Sequence, residues 1–251
     1  MLIQAGIAML EISATIMGRT NTIYPSVIWN EKQAILIDTG YPGQASLIQA
    51  ALQHEGLPLD RLTDIIITHQ DIDHIGSLSA LCELSAAPAP IQVWASAMEK
   101  PYIEGERMLI KVTQAGINQA VASLPKEMPE AQKQAFRYTL EHPPTGKVDQ
   151  LIGYGESALL IGDIRVLDTP GHTPGHVSLY HSPSRTLIAA DSLMIIDGEL
   201  QLGQFNYDNA AAAKSLLQFA DYDIQQVICY HGGLYQSDDV NSRIQALIQV
   251  T

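Results

Sequence analysis

Thr68-His69-Gln70-Asp71-Ile72-Asp73-His74-Ile75-Gly76 follows three consecutive isoleucines, Ile65 to Ile67, and sets two histidines and two aspartates within six positions. The apolar β-branched run reads as a buried strand, Asp64 to Thr68. Its polar C-terminal end opens a loop that turns into a helix at about His74. Sites in α/β sheets commonly lie at the carboxyl ends of strands. Imidazoles and carboxylates at alternating positions there can converge on one or two cations. Taken alone, the stretch also fits a solvated loop in which Asp73 caps the following helix.

Three further runs repeat the design. Asp168-Thr169-Pro170-Gly171-His172-Thr173-Pro174-Gly175-His176 ends a strand in a Gly/Pro turn that fixes His172 at its tip. Leu187 to Ala190 is an apolar strand that delivers Asp191, and Val227 to Tyr230 delivers His231. Each is weak in isolation, since strands often stop at a polar residue. Four apolar strands that all end in a metal-ligating residue type are a strong signal, because one sheet edge can bring the four loops together.

Outward from these runs, strand patterns cover Val27 to Trp29, Ala34 to Asp38, Ile91 to Ala95, Ile164 to Asp168, Val177 to His181 and Gln226 to Tyr230. Met1 to Met9 reads as a first strand. Helical patterns cover Gln44 to Glu55, Ile75 to Leu84 and Asn209 to Phe219. The strands fall into two groups, each with its own helices, which suits an α/β architecture of two sheets packed face to face with helices outside. Residues 98–155 break that rhythm, with Leu109, Val112, Ile117, Val121 and Leu124 at helical spacing and a second helix from Pro129 to Leu140. We read this segment as a helical insertion, a structural layer or a lid, in one domain spanning residues 1–251.

Net charge is -13, from 27 acidic and 14 basic residues, with no Lys/Arg run. Nucleic-acid binding draws its affinity from Lys and Arg, so that partner class is disfavoured. Two cysteines, Cys82 and Cys229, do not make a disulfide framework. No run reaches the roughly 18 apolar residues of a membrane span. The expectation is a cytoplasmic protein without membrane or nucleic-acid partners that takes a small-molecule substrate; its apolar insertion suits a homodimer.

The order His-x-x-x-Asp-His, then a His in a Pro-Gly-His turn, then Asp after an apolar strand, then a C-terminal His resembles the metallo-β-lactamase superfamily. The separations agree: 98 residues from His74 to His172, 19 from His172 to Asp191 and 40 from Asp191 to His231. The resemblance extends from Leu36-Ile37-Asp38-Thr39-Gly40 to the His231 loop. It implies an αββα four-layer sandwich and two divalent metal ions, zinc first and manganese or iron as alternatives. One ion would be held by His69, Asp71 and His172, the other by Asp73, His74 and His231, with Asp191 bridging. Asp38 resembles the family's buried support residue, and His176 the second histidine of the turn, outside the ligand set. The chain departs from the family at one place, carrying Asp71 where His-x-His-x-Asp-His has its second histidine. That departure bears on the identity of the metal more than on the existence of the site.

The resemblance implies a hydrolase in which a metal-bridged hydroxide attacks an ester, thioester or lactone carbonyl, with Asp73 orienting the nucleophile. A β-lactam is disfavoured, because the main zinc β-lactamases carry Cys or Ser near the position of Asp191. Glyoxalase II shares the Thr169 to His176 turn but adds a helical glutathione-gripping region, and 20 residues follow His231 here. Acyl-homoserine lactonases are the nearest analogy. The alternatives are an iron-dependent oxidoreductase of the flavodiiron type without a flavin domain, suggested by Asp71, and a non-catalytic metal-binding relative. Tyr102 reads as an anchoring aromatic before a substrate-facing one, Tyr230 as a packing aromatic, Met108, Met128 and Phe136 as helix-packing residues that could line an apolar pocket, and His54, His142 and His181 as surface residues.

Overall fold

A computed structural model describes residues 1–16, 19–153 and 163–250. One sheet runs in the order Leu2–Gln4, Ile7–Met9, Ser26–Trp29, Ala34–Ile37, Asp64–Ile66, Gln92–Ala95, Gln150–Leu151. The second runs Ile164–Asp168, Val177–His181, Thr186–Ala190, Gln226–Cys229, Gly233–Gln236.

Alternation along the strands sorts side chains into layers, because successive Cβ atoms leave a strand on opposite faces. Ile35 and Ile37 join Ile28 and Ile66 against Val166, Leu179, Ile188 and Ile228 of the second sheet, forming the core between the sheets. Ala34, Leu36 and Ile65 face the other way, onto Ile48 and Leu52 of helix Ala45–His54 and Leu78 and Leu81 of helix Leu78–Leu84. Leu187, Ala189 and Val227 point outward from the second sheet onto Leu216, Phe219, Val240 and Ile244. The result is helix, sheet, sheet, helix, the four-layer sandwich expected from the sequence.

Strands Ala34–Ile37, Asp64–Ile66 and Gln92–Ala95 are mutually parallel, as are Thr186–Ala190 and Gln226–Cys229. Parallel neighbours end on the same side, so the loops that follow them share one edge of the sandwich. None of the helices among the described residues is long and apolar enough to cross a membrane.

Several expectations need correction. Met1 to Met9 is two antiparallel strands, Leu2–Gln4 and Ile7–Met9, because Gly6 adopts φ +90° and turns the chain. The helix expected from His74 is two, Ile72–Ile75 and Leu78–Leu84. They break at Gly76, where a Cβ would lie 2.3 Å from Pro42 N and 2.4 Å from Tyr41 C. The 98–155 segment contains helices Lys100–Ile103, Gln114–Ala122 and Glu130–Glu141, but it returns to the first sheet as an edge strand, Gln150–Leu151. Its expected end at Gly155 lies outside the described residues. Tyr102 anchors the segment, packing on the core with the Arg107 guanidinium over its ring. His54 and His142 are exposed, whereas His181 is buried with Nδ1 2.7 Å from Ser184 Oγ. Burial pushes the His181 imidazole below its usual pKa. Both cysteines are free.

Candidate metal centre

All seven residues singled out as ligands come together at the shared strand edge. His69 follows strand Asp64–Ile66, and Asp71, Asp73 and His74 start the short helix Ile72–Ile75. Asp71 sits at its N-cap position, but its side chain makes no capping hydrogen bond and faces the other ligands. His172 sits on the turn after Ile164–Asp168. Gly171 in that turn (φ +139°) leaves no room for a Cβ, which would meet Ala212 N at 2.1 Å. Asp191 follows Ala190, a non-glycine residue at φ 48° beside a register irregularity in the strand pairing. His231 closes Gln226–Cys229 and is followed by Gly232 at φ +107°.

The ligand atoms fall into overlapping groups within 4.8 Å: His69, Asp71 and His172; His69, His74 and Asp191; and Asp73, His74 and His231. The middle group shares His69 with the first and His74 with the third, and Asp191 lies close to residues of both. Its carboxylate lies 3.2 Å from His172 Nε2, 3.3 Å from His74 Nε2 and 3.5 Å from His231 Nε2. Asp73 Oδ2 is 3.2 Å from His231 Nε2, and Asp71 Oδ2 is 3.1 Å from His172 Nε2.

Three of these atoms, His69 Nε2, His74 Nε2 and Asp191 Oδ1, are buried and carry no hydrogen bond. Buried polar atoms left without partners cost about 1–3 kcal/mol each. Three such atoms facing one another are what a cation resolves, so the residues fit a divalent metal.

Supporting groups hold the imidazoles with Nε2 turned inward. His74 Nδ1–H donates to Asp38 Oδ2 at 2.8 Å, and Asp38 also accepts from Thr68 N and Thr68 Oγ1. His69 Nδ1 lies 3.1 Å from Thr68 Oγ1. Asp38 takes φ 63°, a strained position for a non-glycine residue, at the end of its strand. It plays the supporting part expected of it. Tyr230 packs as expected, its ring centroid 3.8 Å from that of His74, and its hydroxyl also accepts from Gly40 N and donates to Asp73 O. Burial works against charge on His74 and His231. Asp38, Asp191 and Asp73 outweigh it at His74, which is held well above the usual range. Asp191 and Asp73 raise His231 to about 10.

Two residues of the site were not visible in the sequence. Glu99 is fully buried and staples two ligand loops, accepting from Gln70 N at 3.0 Å, Gln70 Nε2 at 2.8 Å and Gly175 N at 2.7 Å. Lys111 reaches in from the turn before helix Gln114–Ala122, ion-pairs with Asp71 and lies 2.7 Å from His172 Nε2. Gln70 Oε1 accepts from Ile110 N and so ties that turn to the first ligand loop. A lone lysine inside Leu109-Ile110-Lys111-Val112 is the only signal the sequence carried for it.

A cavity of about 340 Å³ opens over the ligands, its wall made by Tyr41, Lys111, Met194, Gln204 and Phe205. Met108, Met128 and Phe136 do not line it.

Residues 20–231 match the metallo-beta-lactamase superfamily. The chain belongs to that superfamily. It is 27% identical over 212 residues to a probable metallo-hydrolase, YflN, of Bacillus subtilis (strain 168), covering 79% of this chain and 75% of that one. A hydroxyacylglutathione hydrolase of Alkalilimnicola ehrlichii is 32% identical over 171 residues, 68% of this chain and 47% of its own length. Among solved structures, the metallo-beta-lactamase family protein TTHA1429 of Thermus thermophilus aligns at TM-score 0.65 and 22% identity, covering 99% of this chain and 80% of the other. These relationships, with the ligand cluster, make the chain a metal-dependent hydrolase that binds divalent metal. Asp71 stands where the motif His-x-His-x-Asp-His has its second histidine. Burial opposes its charge, but His69, His172 and Lys111 together hold its carboxyl well below the usual range.

Proposed function

We propose that the chain hydrolyses an ester, thioester or lactone bond in a small-molecule substrate bound in the cavity over the ligand cluster. The observation that supports this most is the convergence of three carboxylates and four imidazoles beside an open cavity with an apolar wall. His69, Asp71 and His172 form one metal group and Asp73, His74 and His231 the other, with Asp191 shared. Divalent metal held by these residues, zinc first, would polarise a carbonyl and lower the pKa of water.

Asp73 is the residue that handles the nucleophile. Its carboxylate lines the cavity, and Tyr230 pins its backbone from behind. From there it orients the attacking water and accepts its proton, which passes to the leaving oxygen or sulfur as the acyl bond breaks. Tyr41 faces the same space. Burial and the neighbouring Asp73, Asp191 and Asp71 push its phenol pKa up, so it stays a proton donor to a bound acyl or alcohol oxygen. Phe205, 84% exposed at the cavity wall with φ 55°, and Met194 offer an apolar surface to the rest of the substrate. The hydroxyacylglutathione hydrolase among the relatives favours keeping thioesters beside lactones as candidates.

A screen of acyl lactones, aryl esters and acyl thioesters tests the reading. Asp73→Ala should lower kcat at least about 100-fold on whichever substrate is turned over. Full activity of that variant with unchanged metal content would remove Asp73 from the mechanism.

A further inference from the structure

Asp71 and Lys111 are best understood together. Lys111 Nζ is ion-paired with Asp71 Oδ2 and lies 2.7 Å from His172 Nε2, two of the three ligand atoms of the first group. Its lysine N–H donates to the His172 Nε2 lone pair, the orbital that would otherwise face a metal. The partnerless ligand atoms His69 Nε2, His74 Nε2 and Asp191 Oδ1 together make up the middle group, and neither Asp71 Oδ2 nor His172 Nε2 is among them, although His172 Nδ1 on the far side of that ring is also without a partner. One half of the centre therefore already holds a lysine ammonium, and among the described residues no lysine or arginine touches the other half.

We propose that Lys111 is a built-in cation of the first ligand group, so that the chain holds one divalent ion tightly through Asp73, His74, His231 and Asp191. A second ion enters the first group only by displacing the ammonium. This deepens the metal-dependent reading above and rests on it. Charge balance points the same way. One divalent ion and one ammonium carry three positive charges, which match the carboxylates of Asp71, Asp73 and Asp191. Two divalent ions beside a retained ammonium leave a surplus of positive charge in a partly buried site, which is unfavourable. A neutral histidine at position 71 would not hold Lys111, whereas an aspartate does. The departure from the superfamily pattern is thus matched by a lysine from the 98–155 segment. The turn carrying Lys111 is not free to swing away, because Ile110 N is held by Gln70 of the first ligand loop at 2.6 Å.

The test is zinc binding itself. The full-length chain, stripped by chelation, is titrated with Zn²⁺ by calorimetry, and bound zinc is counted by elemental analysis after gel filtration. The unmodified chain should bind one zinc tightly and a second at least about tenfold more weakly. Lys111→Met should strengthen the second binding at least about tenfold, and Lys111→Arg, which keeps the charge, should stay near the unmodified chain. If Lys111→Met fails to fold by circular dichroism, Lys111→Gln takes its place, and the titration of the unmodified chain still decides. Two equally tight zinc ions in the unmodified chain overturn the proposal. So does a second affinity unchanged when the ammonium is removed. A chain that takes up no zinc would instead sink the metal-dependent reading on which the proposal rests.

Discussion

His176 should make the metal-free protein lose stability in mild acid, by an amount that follows from its surroundings. It is fully buried beside the ligands, with Nδ1 3.1 Å from Thr169 O and Nε2 accepting from Asp191 N at 3.2 Å. Both nitrogens are therefore committed in the neutral ring: Nδ1–H donates, and Nε2 uses its lone pair to hold the backbone that carries Asp191. A proton on Nε2 would set two donors against each other. Burial, reinforced by His172, lowers the pKa from 6.5 to about 3. The unfolded chain binds the proton first as pH falls, so the contribution of His176 is complete above pH 6.5 and is lost progressively toward pH 3. At pH 4.5 the unfolded state is favoured through this residue by about 3 kcal/mol, from roughly two pH units at 1.36 kcal/mol each. Urea unfolding of the chelator-treated chain and of His176→Gln at pH 7.5 and pH 4.5 measures it. The glutamine variant is less stable at neutral pH, but its acid loss should be smaller than that of the unmodified chain by about 3 kcal/mol. Parallel losses in the two proteins would refute the assignment of a neutral, doubly bonded His176.

The remaining predictions concern the loops that place the ligands and the substrate. A Cβ at Gly203 would lie 1.8 Å from Asp191 O, so Gly203→Ala should destabilise the fold by about 3 kcal/mol and weaken zinc binding together, as seen by thermal denaturation and titration. Normal stability would show that this close approach is dispensable. Glu99→Ala leaves the Gln70 and Gly175 donors buried without their acceptor and should cost about 3 kcal/mol in urea unfolding, with zinc affinity falling in step. Phe205→Ala should raise KM about five- to thirtyfold for substrates with long acyl or aryl groups, and little for acetyl compounds. An equal effect on both would place Phe205 outside the substrate contact.

The site was more legible than the fold around it, for a physical reason. Metal-ligating residue types are costly to gather unless something uses them, so His69, Asp71, Asp73, His74, His172, Asp191 and His231 stood out at the ends of apolar runs. Buried parallel strands such as Ala34–Ile37 and Gln226–Cys229 read as continuous apolar segments. The paired ribbon Ile12–Ile16 and Arg19–Ile23 did not, because Ser13, Thr15, Thr20 and Asn21 are exposed and dilute the apolar signal. The Leu193–Ile196 and Glu199–Leu202 pair, the Gly233–Gln236 strand and the helix Val240–Val250 were likewise unread. The segment 98–155 showed its helices but hid its last strand, since a two-residue edge pairing at Gln150–Leu151 has no periodicity to detect. His181 lacks any sequence cue to burial, which comes only from the strand pairing around it. Lys111 and Glu99 act through contacts made across the fold, and local sequence cannot register those.

The strand edge that gathers the seven ligand residues holds divalent metal for hydrolysis. Elemental analysis of the chain purified without added metal, beside that of His74→Ala, tests it most directly. At least one equivalent of zinc, or of manganese or iron, should survive extensive dialysis in the unmodified chain and be lost in the variant. A metal-free unmodified chain that also refuses added zinc, or metal retained undiminished in His74→Ala, would contradict it.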